Sequence, residues 1–269
     1  MENDYAGGDA QDPTDGLDFV ARRAAAYQAY YEHQPIRVDP PSGDSLELYR
    51  LLDWGGLARF YVLDGRQYRD DQPCTGEIAP DCPDRAVDTA TILGQEQEDW
   101  LAEGFGSSKA TWNVLANQVI FTPLPLGGSI YNMDQWDGYP AARNRLLDQM
   151  TAADLANPVV ITGDVHASGV GDVSTGEPGA PVLATEFVGT SISSTFPPEL
   201  IDAAAALIGG LPQVKWFNAR ERGYVVCDLT PDTFKATYRV VSSIAEPGAD
   251  ISTVTTWRVQ AGTPGAIEA

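Results

Sequence analysis

Basic residues and histidines are what this chain has least of. Among its 269 residues, 17 Lys+Arg stand against 38 Asp+Glu, a formal net charge of −21. A surface that negative repels phosphate backbones and anionic lipid, and no basic run interrupts it, so a nucleic-acid or membrane-surface footprint is excluded. His33 and His166 are the two histidines of the chain, which rules out a three-histidine zinc centre built from it alone. Long apolar runs are missing too. The longest, at residues 203–211, is short and broken by glycine, so no transmembrane segment is expected. Residues 1–18 carry neither the basic n-region nor the apolar h-region of a signal peptide. The chain also lacks a Gly-x-Ser-x-Gly elbow and a Gly-Lys-Ser/Thr loop, and with them the motifs of serine hydrolases and P-loop enzymes.

What is there suffices for a real core. With 43% hydrophobic residues, 26 Gly and 19 Pro the composition is that of a loop-rich soluble globule. At roughly 150 residues per domain, the length fits one large domain or two small ones. Cys74 and Cys82 flank a short polar loop, Cys74-Thr-Gly-Glu-Ile-Ala-Pro-Asp-Cys82, while Cys227 lies in an apolar run. The flanked loop predicts a Cys74–Cys82 disulfide; the alternative is two unrelated thiols, and no second Cys or His pair stands nearby to complete a tetrahedral metal site.

Residues 1–17 are acidic, glycine-rich and aperiodic, and read as an arm or loop. Asp18 is a candidate N-cap for a helix ending before Pro35. In it Tyr27, Tyr30 and Tyr31, at i, i+3 and i+4, mark a buried face, and His33 near its end suits the helix dipole. Residues 59–64 form a strand ending in an acid. Gly94 opens a helix with acids in its first turn. Residues 112–121 make one long strand or a strand pair, and Pro140 starts a helix. Residues 157–163, Asn-Pro-Val-Val-Ile-Thr-Gly, are the clearest buried strand. Strands near 182–186, 224–229 and 234–241 follow, and the last ten residues, 260–269, read as a frayed tail. Strands alternating with helices, plus late hairpins, give an α/β class with an antiparallel contribution.

The strongest chemical signal is Thr162-Gly-Asp-Val-His166 directly after that buried strand. In α/β sheets ligands bind beyond the carboxyl ends of strands, and a glycine there lets the chain turn so that Asp164 and His166 converge. A carboxylate and an imidazole are suitable metal ligands. The alternative is an Asp capping a turn beside a hydrogen-bonded His.

Five consecutive blocks settle which reading to follow. Leu93-Gly-Gln-Glu-Gln-Glu-Asp-Trp-Leu101, Trp112-Asn-Val-Leu-Ala-Asn-Gln-Val, Met133-Asp-Gln-Trp-Asp-Gly-Tyr-Pro-Ala-Ala-Arg143, Val160-Ile-Thr-Gly-Asp-Val-His-Ala-Ser168 and Ala184-Thr-Glu-Phe-Val-Gly-Thr-Ser-Ile192 resemble, in order, those of the PhoD-type alkaline phosphatases of the metallophosphatase superfamily. Residues 59–74 add a sixth, and the resemblance runs from residue 2 to about 241. It implies an α/β (α+β sandwich) fold of metallophosphatase-type mixed sheets flanked by helices, with residues 18–259 the C-terminal part of such a domain. It implies a secreted phosphomonoesterase or phosphodiesterase that uses iron and calcium, a small-molecule phosphate ester as substrate, and a metal-activated hydroxide as nucleophile. Paired cations clamp the attacking and leaving oxygens and lower the pKa of bound water towards ~7. Asp164 and His166 then become catalytic metal ligands, and Asn3 a candidate third against a solvated loop residue.

The family's upstream motifs, a metal-ligating Asp, a Cys, a Tyr and a Trp-Asp-Asp-His-Glu run, have no counterpart here, and the chain begins at Met1-Glu2-Asn3 as if cut within the last of them. The rival expectation is therefore an N-terminally truncated, inactive fragment or a non-catalytic subunit. Weaker substrate-binding candidates are Arg66, against an Asp64–Arg66 structural pair, and Asp137 and Tyr139, where turn chemistry accounts for Asp-Gly. Glu186 follows an apolar strand and is expected to be buried and paired. Nothing in the sequence bears on oligomeric state.

Overall fold

The computed structural model describes residues 3–8, 18–176 and 179–269. Of the predicted arm, residues 1–2 and 9–17 lie outside the described residues. Helix α1 (Phe19–His33) starts where Asp18 accepts a hydrogen bond from Ala21 N–H at 3.1 Å. Its tyrosines do not share one buried face: Tyr27 is buried against Tyr5, hydroxyl to hydroxyl at 2.5 Å, whereas Tyr30 is 43% exposed and Tyr31 half-buried. Among the described residues α1 is met by Tyr5, Gly7 and Asp44, and of these Tyr5 packs on Phe19 and Tyr27.

The organising element is a seven-stranded mixed sheet. It contains β1 (Arg50–Trp54), β2 (Ala58–Val62), β4 (Trp112–Ala116), β6 (Pro158–Thr162), β7 (Ser168–Val173), β8 (Ala184–Val188) and β9 (Val214–Asn218), in the order β1-β2-β4-β6-β8-β7-β9. β2, β4, β6 and β8 run parallel; β1 at one edge, and β7 between β8 and β9, pair antiparallel. β6, Pro-Val-Val-Ile-Thr, occupies the centre, as its unbroken β-branched run requires. The predicted long strand at 112–121 instead stops at Ala116, because the Asn117 side chain turns to meet Val119 O and the Trp136 indole N–H.

Helices α2 (Gln95–Ser107) and α3 (Pro140–Ala152) cover one face, closing a core of Tyr61, Leu101, Phe105, Leu115, Trp136 and Leu147. A meander of β10 (Arg222–Leu229), β11 (Thr233–Val241), β12 (Ile251–Gln260) and β13 (Thr263–Glu268) covers the other, closing a second core with Trp112, Val159, Phe187, Phe234 and Tyr238. The result is a layered α/β sandwich. The 260–269 segment is not a frayed tail: Gly262, at φ +77°, turns the chain so that β13 pairs with β12 and buries Ala266 in the second core. A small ribbon of β3 (Ile78–Pro80) and β5 (Ile130–Asn132) and a short helix α4 (Ile201–Ile208) complete the fold. Cys74 and Cys82 are joined by a disulfide, with Cα atoms 5.8 Å apart; Cys227 is free.

Candidate active site at the carboxyl edge of the parallel strands

Three adjacent parallel strands discharge their loops at one edge. β2 runs into Leu63-Asp64-Gly65-Arg66, β4 into Asn117-Gln118, and β6 into Gly163-Asp164-Val165-His166. Gln118 stitches the first two together, its amide donating to Leu63 O at 2.6 Å and accepting from Gly65 N–H at 3.1 Å, while Asn117 N–H donates to Ile161 O at 3.0 Å. The edge is thus a built platform rather than three free loops.

Asp164 and His166 both adopt left-handed backbone, φ +73° and +54°. Such conformations strain non-glycine residues by on the order of 1–3 kcal/mol each and persist where surrounding bonds over-determine them. Here those bonds are visible. Val165 N–H reaches back to Gly163 O at 2.9 Å. The buried Arg222 guanidinium donates to His166 O at 2.6 Å and also to the carbonyls of Ser194, Ala219 and Glu221. Gln135 Nε2 donates to one Asp164 oxygen at 2.9 Å, and Gln135 Oε1 accepts from Ile120 N–H at 2.5 Å. That backbone donor fixes which way the Gln135 amide faces, so the amide presents its N–H to Asp164. Asp164 is exposed and His166 half-buried, with Nδ1 3.3 Å from Thr195 O.

Behind the loop, Glu186 is fully buried on β8 and accepts from Phe121 N–H (2.9 Å), Thr122 N–H (2.7 Å) and Thr162 Oγ1 (2.5 Å). Burial without a cationic partner pushes its carboxyl above the ordinary range, against the pull of the Thr162 hydrogen bond. Glu186 thereby ties the end of β6 to the 120–122 backbone that Gln135 also holds.

Beside the edge, Asp134 takes a bidentate pair from Arg66 (2.5 and 2.7 Å) and a third bond from Arg69 at 2.6 Å. Burial would raise the Asp134 carboxyl, but the Arg66 hydrogen bonds and both guanidinium charges outweigh it and hold it below the usual range. Arg66 therefore pairs with Asp134 through its guanidinium. Asp64 receives its main-chain N–H at 3.0 Å, along with Gln67 N–H and the Gln67 amide. Asp137 is buried in a pair with Arg143 at 2.7 Å and accepts Leu124 N–H, and the buried Tyr139 hydroxyl donates to Asp70 O at 2.8 Å. These protein partners engage both side chains. Asn3 is exposed in a turn; its neighbours dock on the platform through Gln72 Nε2 to Asp4 O (2.6 Å) and Gly7 N–H to Arg66 O (3.0 Å). His33 lies in the last turn of α1.

As a cation site the edge is right in kind and short in number. Asp164 and His166 supply hard-oxygen and imidazole donors, each with a partner on its far side, as ligating residues have. Metal sites take four or more donors, and among the described residues no three His, Cys, Asp or Glu side chains gather into a group that could hold a metal ion. Sequence reasoning passed over Gln135, Arg222, Arg69 and Asp134. The buried amide at 135 sits inside a recognised block, but its bond to Asp164 spans 29 residues and leaves no local signal.

Comparison with known proteins bears on this edge. The family model of PhoD-like phosphatase matches residues 1–238. Alkaline phosphatase D of Bacillus subtilis (strain 168) is 45% identical over 261 residues, 94% of this chain and 44% of that protein. A solved structure, "Structure of PhoD", superposes with a TM-score of 0.88 at 39% identity, covering 100% of this chain and 52% of that one. The chain thus spans about half the length of the relatives it matches.

Proposed function

Because this chain belongs to the PhoD-like phosphatase family, we propose that its Asp164–His166 edge is part of a metal-dependent centre that hydrolyses phosphate esters, as a phosphomonoesterase or phosphodiesterase. The observation that carries this reading is the pair of left-handed residues, Asp164 and His166, held by Gln135 and Arg222 at the carboxyl end of the central strand. Asp164 and His166 would hold the cation, with Asn3 a third donor. Iron and calcium are the proposed metals. When bound, such cations polarise the phosphoryl group and activate water.

The chain's own residues supply orientation and charge. Gln135 turns the Asp164 carboxylate, Arg222 fixes the His166 backbone, and Glu186 holds the strand end on which both stand. Arg66, partly exposed and electrostatically coupled to both Asp164 and Asp4, is the proposed contact for the phosphoryl oxygens. A disulfide in the described fold supports work in an oxidising, extracytoplasmic setting. No helix among the described residues is long and apolar enough to cross a membrane.

The test is hydrolysis of 4-nitrophenyl phosphate and bis(4-nitrophenyl) phosphate at alkaline pH, with metal content measured alongside. Chelation abolishes turnover, and His166→Ala lowers it beyond the roughly 10–100-fold that loss of an outer-shell partner causes. A His166→Ala protein with wild-type turnover and metal content refutes the assignment. A second reading follows from the short donor set: the chain as it stands is non-catalytic. Absence of both stoichiometric metal and turnover in the purified chain supports that reading; both present defeat it.

A further inference from the structure

The helical face of the large sheet contains a cavity of about 340 Å³ beyond the Asp164 loop. Its floor is β7 and β8, and on β7 the sequence leaves it bare. Gly169 and Gly171 occupy the positions of β7 that face the helical layer, registered against Val188 and Glu186. A Cβ at Gly171 would stand 2.9 Å from Thr122 Oγ1, so a side chain is withheld at that position for a steric reason. α4 roofs the cavity with Ala204, Leu207 and Ile208, and Ile120, Leu124 and Phe196 close the sides. Gln135 and Val165 also line it. The residue whose amide turns Asp164 therefore forms part of the wall, and the residue between Asp164 and His166 forms another part.

The lining is mainly apolar, with one unused polar group. Thr122 is 4% exposed; its main-chain N–H is taken by Glu186, while its hydroxyl lies beside that carboxylate without reaching hydrogen-bonding geometry and has no partner. A buried hydroxyl left unpaired is unfavourable, and a ligand atom removes that penalty. Clefts and cavities of about 300–1,000 Å³ that are mostly apolar with a few placed polar groups are those that take small organic ligands.

We propose that this cavity binds the alkyl or aryl body of the alcohol esterified to the phosphate, with the Thr122 hydroxyl bonding to one polar atom carried on that body. The proposal rests on the phosphoester reading above and gives it a substrate class: esters of apolar alcohols ahead of those of polyols.

The test separates the two claims. Isothermal titration of the purified chain with 4-acetylbenzyl alcohol, 4-methylbenzyl alcohol and glycerol reads the cavity alone. Both benzyl alcohols bind, the acetyl compound more tightly, and glycerol does not. Ala204→Trp, which fills the cavity from a roof position that is not buried, weakens both by about tenfold or more, following the loss of buried apolar area. Thr122→Val, close in shape, removes the preference for the acetyl compound and leaves the methyl compound unchanged, which keeps the claim testable if the tryptophan variant folds poorly. Glycerol binding as well as the aryl alcohols, or Ala204→Trp binding like wild type, overturns the proposal. Phosphate release from 4-acetylbenzyl phosphate and glycerol phosphate then reads the catalytic claim, with kcat/KM favouring the aryl ester by about tenfold. Alcohol binding with no release from either ester upholds the cavity and refutes the phosphoester reading. Release from both at equal kcat/KM, without alcohol binding, upholds that reading and refutes the cavity.

Discussion

The helical face of the central sheet is filled in two ways. Over β2, β4 and β6, helices α2 and α3 seal the sheet: Tyr61 on β2, Leu115 on β4 and Leu147 on α3 are all at 0% exposure, with Trp136 at 1%. Over β8, β7 and β9 the cover is α4, eight apolar-rich residues of which none is buried, above a floor with glycine where side chains would stand. The same sheet is a tight core on one side of the Asp164 loop and hollow on the other. Packing density decides which half contributes stability and which keeps room, and the loop with the candidate ligands lies at the boundary.

The largest expected effect is at that boundary. Asp134→Ala leaves Arg66 and Arg69 without their shared carboxylate, and removing one partner of a buried pair destabilises by about 3–5 kcal/mol. Denaturant midpoints read it. The Asp134 carboxyl titrates below its ordinary value, so its contribution is complete above the unfolded pKa, ~3.9, and is lost as pH falls through the lower folded value. Wild type and variant therefore converge on acidification; a gap that persists at low pH contradicts this account.

Next come matched leucines. Leu147→Ala on α3 is expected to destabilise by about 2–5 kcal/mol, whereas Leu207→Ala on α4, 50% exposed, stays within about 0.5 kcal/mol. Equal losses would erase the contrast between the halves. Matched glycines probe it more gently. A Cβ at Gly104 on α2 would meet Tyr61 Cε1 at 2.9 Å, while one at Gly169 on β7 meets nothing closer than Trp216 O at 3.6 Å. Gly104→Ala is expected to lower stability by about 1–3 kcal/mol, and Gly169→Ala to raise it by about 0.4–1 kcal/mol, as thermal unfolding would show.

The packed half was the more legible in sequence. The run before Thr162 is apolar, β-branched and bounded by Pro158 and Gly163, so its burial as a central strand follows from composition. The Asp18 cap of α1 and the Pro140 start of α3 were likewise local. Tyr30 misled because helical periodicity names a face but not the width of whatever covers it. The 260–269 segment misled because Gly262, Pro264 and Gly265 read as loop, while the β12 partner that makes it a strand is supplied by the fold. Arg66 pairs across 68 residues with Asp134, and Gln135 across 29 with Asp164; contacts of that span leave no periodicity to detect. The hollow half was hidden for the opposite reason: Ala167-Ser-Gly-Val-Gly171 looks like weak strand sequence until its empty face is seen beneath α4.

The hydrogen bond from the Trp112 indole to Thr230 O, across 118 residues, has a consequence for the order of events in synthesis. One face of β4 and β6 waits for the 222–268 meander before it is sealed, so Trp112, Val114 and Val159 stay uncovered while more than a hundred further residues emerge. At about 5–20 residues per second that interval lasts several seconds, long against the microseconds in which a hairpin forms. The meander, built from neighbouring strands, closes quickly once released. The time at which this chain is most open to aggregation is therefore set by translation of its last third.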